Sequence, residues 1–259
     1  MKIHPLTQKA LVSLIICGTS AGAMADETDA KNLLKAMSDY MASQNSISFT
    51  YDATLEVVTE EGQKLALASS GSVALNRPDK VIATRSGGFA DLEMSFDGQT
   101  LTLLGKELNL YTQLEVPGTV DHLIDELTGT YHTPLPAADL LLSNPYEALM
   151  AGVTDVKDLG SGVVGGIECD HLAFRTDDVD WQIWIAQAQQ PRPCRYAIAS
   201  KLIDGGPQYT IQFGDWKTGN EVIATDFSFT PPTEAEKVEL KDLKSAETLP
   251  DHFRQGDEK

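Results

Sequence analysis

The chain has little with which to perform chemistry. Of its 259 residues, three are cysteine, five are histidine and three are tryptophan. Cys17, Cys169 and Cys194 never stand in Cys-x-x-Cys spacing, which removes the usual redox motif. His4, His122, His132, His171 and His252 form neither His-Glu-x-x-His nor a Cys/His cluster, so a zinc centre lacks its ligands. Gly-x-Ser-x-Gly spacing occurs only at Gly18 to Gly22, within the first 25 residues, so the rest of the chain has no such elbow, and Gly160-Ser161-Gly162 reads as a flexible turn. Asp177, Asp178 and Asp180 lack the glycine-bearing spacing of a calcium loop and read as a solvated hairpin tip. No catalytic residue, metal or cofactor is expected, and the chain is read as a non-enzyme. Cations are scarce too. Twenty Lys and Arg stand against 38 Asp and Glu, a formal net charge of −18 that repels nucleic acid and anionic lipid surfaces. No nucleic acid partner is expected. Long apolar runs are absent: the segment from Ala10 to Cys17 is well short of the roughly 20 residues that span a bilayer.

What is present begins with a leader. Lys2 and Lys9, the apolar segment and Ala23-Met24-Ala25 together read as a cleavable secretory signal over residues 1–25, with the mature chain starting at Asp26. Lipid attachment at Cys17 is disfavoured by the bulky Ile16 before it. The mature protein is therefore placed in the periplasm, without a transmembrane segment, and loss of Lys2 and Lys9 takes its charge to −20. It keeps Cys169 and Cys194. An even count in an oxidising compartment favours a disulfide over two buried thiols, and closing that loop stabilises by about 3.5 kcal/mol in the chain-entropy model.

The periodicity then sets the architecture. Ala30, Leu33, Leu34, Met37, Tyr40 and Met41 recur at helical spacing, with Asp29 available as N-cap. From Ile47 to Val57 apolar and polar residues alternate, the pattern of a strand with one buried face. A return strand follows through Leu75, in which Gly71 suggests a bend. Shorter strands are expected at Lys80 to Arg85, Leu92 to Phe96, Thr100 to Leu104 and Leu108 to Leu114. After Pro117-Gly118, helical pieces begin at Val120, Pro136 and Asn144-Pro145, the last with an N-cap and a first-turn proline. Strands resume at Val153 to Leu159, Ile167 to Phe174, Val179 to Ala186, Cys194 to Leu202, Gln208 to Trp216 and Val222 to Phe229. Thr233 and Glu236 offer the cap of a last short helix. The fold class is mainly β (α+β): a strongly curved antiparallel sheet or unclosed barrel of about 11–12 strands, since a flat sheet that wide would curl or split. The N-terminal helix and the helical insertion cover its concave face. Residues 26–243 form a single domain, and 244–259 are a charged tail.

Several segments resemble a bacterial family of predicted periplasmic proteins of unknown function. They are Arg77-Pro78-Asp79-Lys80, Phe96 to Thr100, Pro136 to Leu140, Cys169 to Phe174 with Trp181 to Ile185, and Pro207-Gln208-Tyr209 with Trp216. That family is similar in expected fold to the lipoprotein carriers LolA and LolB, in which an incomplete barrel wraps around helices and encloses an apolar cavity for acyl chains. The resemblance implies a lipid-type or other apolar ligand.

The expected ligand cavity is lined by Phe49, Tyr51, Leu55, Leu101 and Leu103, and closed by Leu123, Ile124, Leu127 and Leu140. An acyl chain of about 14 carbons contributes on the order of 10 kcal/mol gross on burial, so apolar walls suffice for capture. The alternative is a non-catalytic envelope interaction or regulatory module with a solid core and a protein partner. His171 shares a strand with Cys169 and Ala173 and is expected to face inward as a structural residue. Alternation puts Trp181 and Trp184 on opposite faces.

Overall fold

The computed structural model describes residues 27–88, 90–222 and 226–246. The expected leader and the start at Asp26 lie outside the described residues, as do residues 247–259. Helix α1 (Glu27–Ser43) is followed by six strands, β1 (Ser46–Val58), β2 (Lys64–Asn76), β3 (Lys80–Gly87), β4 (Ala90–Phe96), β5 (Thr100–Gly105) and β6 (Leu110–Glu115). The helical insertion holds α2 (Val120–Asp125), a single π turn at Glu126–Thr130, a 3-10 turn at Ala138–Leu141 and α3 (Pro145–Met150). Five strands come next: β7 (Asp155–Val164), β8 (Ile167–Arg175), β9 (Val179–Ala186), β10 (Pro193–Ser200) and β11 (Gln208–Thr218). A two-residue β12 (Glu236–Lys237) and α4 (Leu240–Ala246) close the described chain.

All twelve strands join one sheet in the order β12-β6-β5-β4-β3-β2-β1-β11-β10-β9-β8-β7. Two antiparallel meanders, β1 to β6 and β7 to β11, are spliced where β1 pairs with β11. The sheet is antiparallel apart from β12, and it is not closed into a barrel. Its curvature follows from the core. Leu101 on β5 and Leu172 on β8 share one continuous apolar cluster, although a flat sheet would hold strands eight places apart at about 38 Å. The centre of that cluster is α1, whose Ala30, Leu34, Met37 and Met41 fall on one helical face and are fully enclosed.

Gly71 shows what the curvature requires. A Cβ there would lie 2.0 Å from the Thr84 carbonyl oxygen and 2.6 Å from the Tyr51 ring. Glycine serves close approach here, not the expected bend. Tyr51 lays its ring across β2 and donates from its hydroxyl to Thr84 O at 2.8 Å.

The insertion is anchored first at the end of the sheet where β1 starts. Val120 N–H donates to Pro78 O at 2.9 Å, Val116 N–H to Gln99 O at 2.8 Å, and Arg77 to Leu142 O at 3.0 Å. These contacts involve the β2–β3 and β4–β5 turns and the segment before α3. The expected cap at Asn144 forms: its side chain accepts from Glu147 N–H and donates to the Glu147 carboxylate at 2.7 Å.

Three expectations are corrected. Asp29 is not an N-cap, because α1 already includes Glu27 and Asp29 lies in its first turn. The described residues of the expected Val222–Phe229 strand are not extended into the sheet, since β11 already fills the place beside β1. Thr233 and Glu236 do not cap the last helix. Glu236 instead pairs alongside β6, where the Asn109 and Tyr111 carbonyls accept from Glu236 and Val238 N–H, and the helix starts at Leu240. That C-terminal segment covers the β6 edge. Helix α4 runs on to Ala246, so the boundary drawn at 243 falls inside it.

Candidate functional site

Pairing register assigns every inner-face residue. Odd-numbered positions of β1 and β2 face the helices, and through Leu75↔Val81↔Phe96↔Leu101 and Gly71↔Arg85↔Leu92 the same face continues onto β3, β4 and β5. On the other side it passes from Leu55 to Tyr209 and from Tyr209 to Ile198.

The nine expected cavity residues divide along the strands. Phe49, Leu101, Leu123, Leu127 and Leu140 keep at most 5% of their surface exposed and belong to the continuous core. Tyr51, Leu103 and Ile124 are half-buried and pack against it. Leu55 is half-buried and stands outside the core cluster. The insertion is tied to the turns at residues 77–79 and 97–99 where β1 starts, and Thr154 N–H donates to Arg175 O at 2.8 Å where the chain leaves it for β7. Toward the β1–β2 and β3–β4 turns the inner face carries half-buried side chains that the core does not include. Leu55, Leu65, Leu67 and Leu92 lie there, outside the core. The rim carries Leu108 at 43%, Leu202 at 73% and Ile203 at 39% exposure, high values for large apolar side chains. This half-buried apolar strip, the trough, is the candidate binding surface. Two concavities lie elsewhere, about 660 Å³ beside Lys35 and Tyr146 and about 650 Å³ beside Ser72 and Trp216.

The trough contains one cation that sequence reasoning missed. Arg85 faces inward between Gly71 and Leu92, close enough to Tyr51 and Tyr209 for its charge to act on both hydroxyls. Burial nevertheless pushes the Tyr209 hydroxyl up to about 12. Alternation held the signal. Arg85 has the parity of Val81 and Ala83, so the strand that buries them also directs a guanidinium to the same face.

His171 corrects an expectation. It pairs with Trp184, and both lie on the outer face, their rings stacked at 4.1 Å and 15°. His171 Nε2 is 2.9 Å from Gln182 Oε1, and the Arg195 guanidinium sits 5.7 Å from the Trp184 ring. The inner positions of β8 are Leu172 and Phe174, and Phe174 stacks on Trp181 at 3.9 Å. Trp181 and Trp184 thus lie on opposite faces as expected.

Cys169 and Cys194 sit in a second small core with Val164, Ala186 and Trp184, where they are two buried thiols in mutual contact. Burial and the neighbouring Cys169 push the Cys194 thiol up to about 12, so it carries almost no thiolate at neutral pH. Among the described residues, no three His, Cys, Asp or Glu side chains converge as metal ligands, and no helix is long and apolar enough to cross a membrane.

A family model described as predicted periplasmic protein (DUF2092) matches residues 30–241. No curated protein matches the chain. Among solved structures, the chain is similar to lipoprotein LppX of Mycobacterium tuberculosis at 16% identity and a TM-score of 0.46, covering 78% of this chain and 100% of that one. An uncharacterised conserved protein of Thermus thermophilus has 12% identity and a TM-score of 0.45, with 81% and 98% covered. A LolA superfamily protein of Nitrosomonas europaea has 12% identity and a TM-score of 0.33, with 74% and 94% covered.

Proposed function

The chain belongs to the family of predicted periplasmic proteins (DUF2092), and from that premise we propose that it binds an apolar, lipid-type ligand in the periplasm. One observation carries the reading: on the inner face Leu55, Leu67 and Leu92 are half-buried and stand outside the core that the helices complete, with Tyr51 and Tyr209 at its margin. Burial of apolar area contributes about 25 cal/mol per Å², so such a trough gains by taking up an acyl chain and needs no reactive group. Leu108, Leu202 and Ile203 at the rim give the chain an apolar path in. The unit that does this is the chain freed of residues 1–25, through helix α4. Phe49, Leu101, Leu123, Leu127 and Leu140 then act as the packed floor beneath the trough, while Tyr51, Leu55, Leu103 and Ile124 contact the ligand or its margin.

The test is native mass spectrometry of protein purified from its own periplasm, combined with lipid extraction. Retained apolar mass is expected. Ligand-free protein that also fails to bind a fluorescent fatty acid would overturn the reading.

A second reading is favoured by one observation. Around the β7–β8 hairpin, at the sheet edge opposite the covered one, Leu159, Val163 and Ile167 are 47%, 69% and 41% exposed. An unpaired edge with apolar flanks is a template for an added strand from an envelope protein.

A further inference from the structure

Resting on that reading, we propose that the trough selects an anionic amphiphile, a long-chain carboxylate whose head pairs with Arg85 while its tail lies on Leu55, Leu67 and Leu92. The register makes Arg85 the only cation in its row: its inner-face neighbours are Gly71, Ser69, Ala83, Gly87, Leu92 and Met94. The acids nearby point the other way. Ser86↔Asp91 and Thr84↔Glu93 place both carboxylates on the outer face, where Asp91 accepts from Ser86 at 3.1 Å and Glu93 pairs with Lys106 at 3.1 Å. On β1, Asp52 and Glu56 are likewise on the outer face, taken up by Ser70 at 2.5 Å and by Lys64 at 2.9 Å. Arg85 therefore has neither an ion pair nor a hydrogen bond among the described residues, and its nitrogens are not sealed from solvent.

A half-buried guanidinium that water still reaches and that no protein group holds is free to take up an anion. Its fork matches a carboxylate through two parallel hydrogen bonds. Near it, the Tyr209 hydroxyl also has no hydrogen-bond partner among the described residues and keeps its proton, which supplies a further donor, whereas the Tyr51 hydroxyl is already committed to Thr84 O. One positive charge balances one negative charge. A head bearing two or more would meet the field of a strongly acidic chain, which favours a carboxylate over a phosphomonoester.

The experiment compares cis-parinaric acid with its methyl ester by fluorescence titration, on the full mature chain and on Arg85→Gln. The parent is expected to bind the acid about tenfold more tightly than the ester, and Arg85→Gln should weaken the acid by about tenfold while leaving the ester unchanged. Lysophosphatidic acid, titrated alongside, should bind more weakly than the acid. Equal affinity of the parent for acid and ester, or equal loss of both in Arg85→Gln, would overturn the proposal while the apolar-ligand reading stands. Failure of the parent to bind either probe would overturn both. Should Arg85→Gln not fold, the parent's preference for acid over ester, and its weakening in high salt, decides the matter alone.

Discussion

Asp139, on the 3-10 turn of the helical insertion, accepts a hydrogen bond at 3.2 Å from the hydroxyl of Tyr196 on β10, and the pair ties the insertion to the sheet. Burial pushes the Asp139 carboxyl up to about 6, against the pull of the Tyr196 hydroxyl and of Leu140 N–H at 3.0 Å. Tyr196 is itself held well above the ordinary tyrosine range by burial and by the carboxylate.

The first prediction follows from the sign of that shift. Because the folded-state value lies above the ordinary 3.8, the folded protein holds the Asp139 proton more tightly than the unfolded chain. The resulting stability is fully present below about pH 3.8 and is lost as the pH rises through about 6, a difference of at most about 3 kcal/mol. Asp139→Asn, whose amide still accepts from Leu140 and pairs with Tyr196, should raise the melting temperature at pH 7.5. At pH 4 its advantage should vanish. Thermal melts at the two pH values check this, and an Asn variant less stable at pH 7.5 would contradict it.

The second prediction concerns Cys169 and Cys194, which we propose are bridged in the periplasm. Their contact inside a sealed patch gives the pair the proximity that a bond requires. Two thiols would pass two electrons and two protons to a disulfide-bearing oxidant, and the closed loop would stabilise by about 3.5 kcal/mol. Thiol labelling of protein unfolded without reductant should find no reactive cysteine. Two labelled thiols would remove the bridge.

Those two pairs also show where a sequence is readable. Strand alternation from Ile47 to Val57, or from Val179 to Ala186, reports a face directly, because period two is fixed by the backbone. Cys169-Asp170-His171-Leu172-Ala173-Phe174 is ambiguous, since both of its parities mix polar and apolar residues. The β7–β8 tip folds over the outer face and buries Cys169 completely there, and local pattern carries no trace of that long-range cover. The packed and half-buried parts of the inner face were equally hidden. Leu55 and Phe49 have the same parity, and what separates them is long-range: Phe49 belongs to the core around the helices and Leu55 does not.

For His171 the structure gives a stacking role at a distance from the trough. His171→Gln keeps a polar side chain near Gln182 but removes the ring that covers Trp184. It should lower stability by about 0.5–1.5 kcal/mol in chemical denaturation and leave cis-parinaric acid affinity unchanged. Lost affinity at unchanged stability would place His171 in the binding reaction instead.

Leu55 and Leu101 separate an open trough from a solid interior. Both face inward, but Leu101 is completely enclosed between Phe96 and Leu114, while Leu55, with Leu67 and Tyr209 beside it, is half-buried outside the core. Leu101→Trp adds volume where no rotamer can take it, and should cost about 1–3 kcal/mol by overpacking. Leu55→Trp should cost little stability, since the larger ring extends into the trough, yet it should weaken fatty-acid probe binding several-fold by filling the space that the tail occupies. Equilibrium denaturation and probe titration on the two variants give four measurements with opposite expected outcomes. If Leu55→Trp is as destabilising as Leu101→Trp and the parent binds no probe, the interior is packed throughout, and the exposed β7 edge becomes the better account of what this protein does.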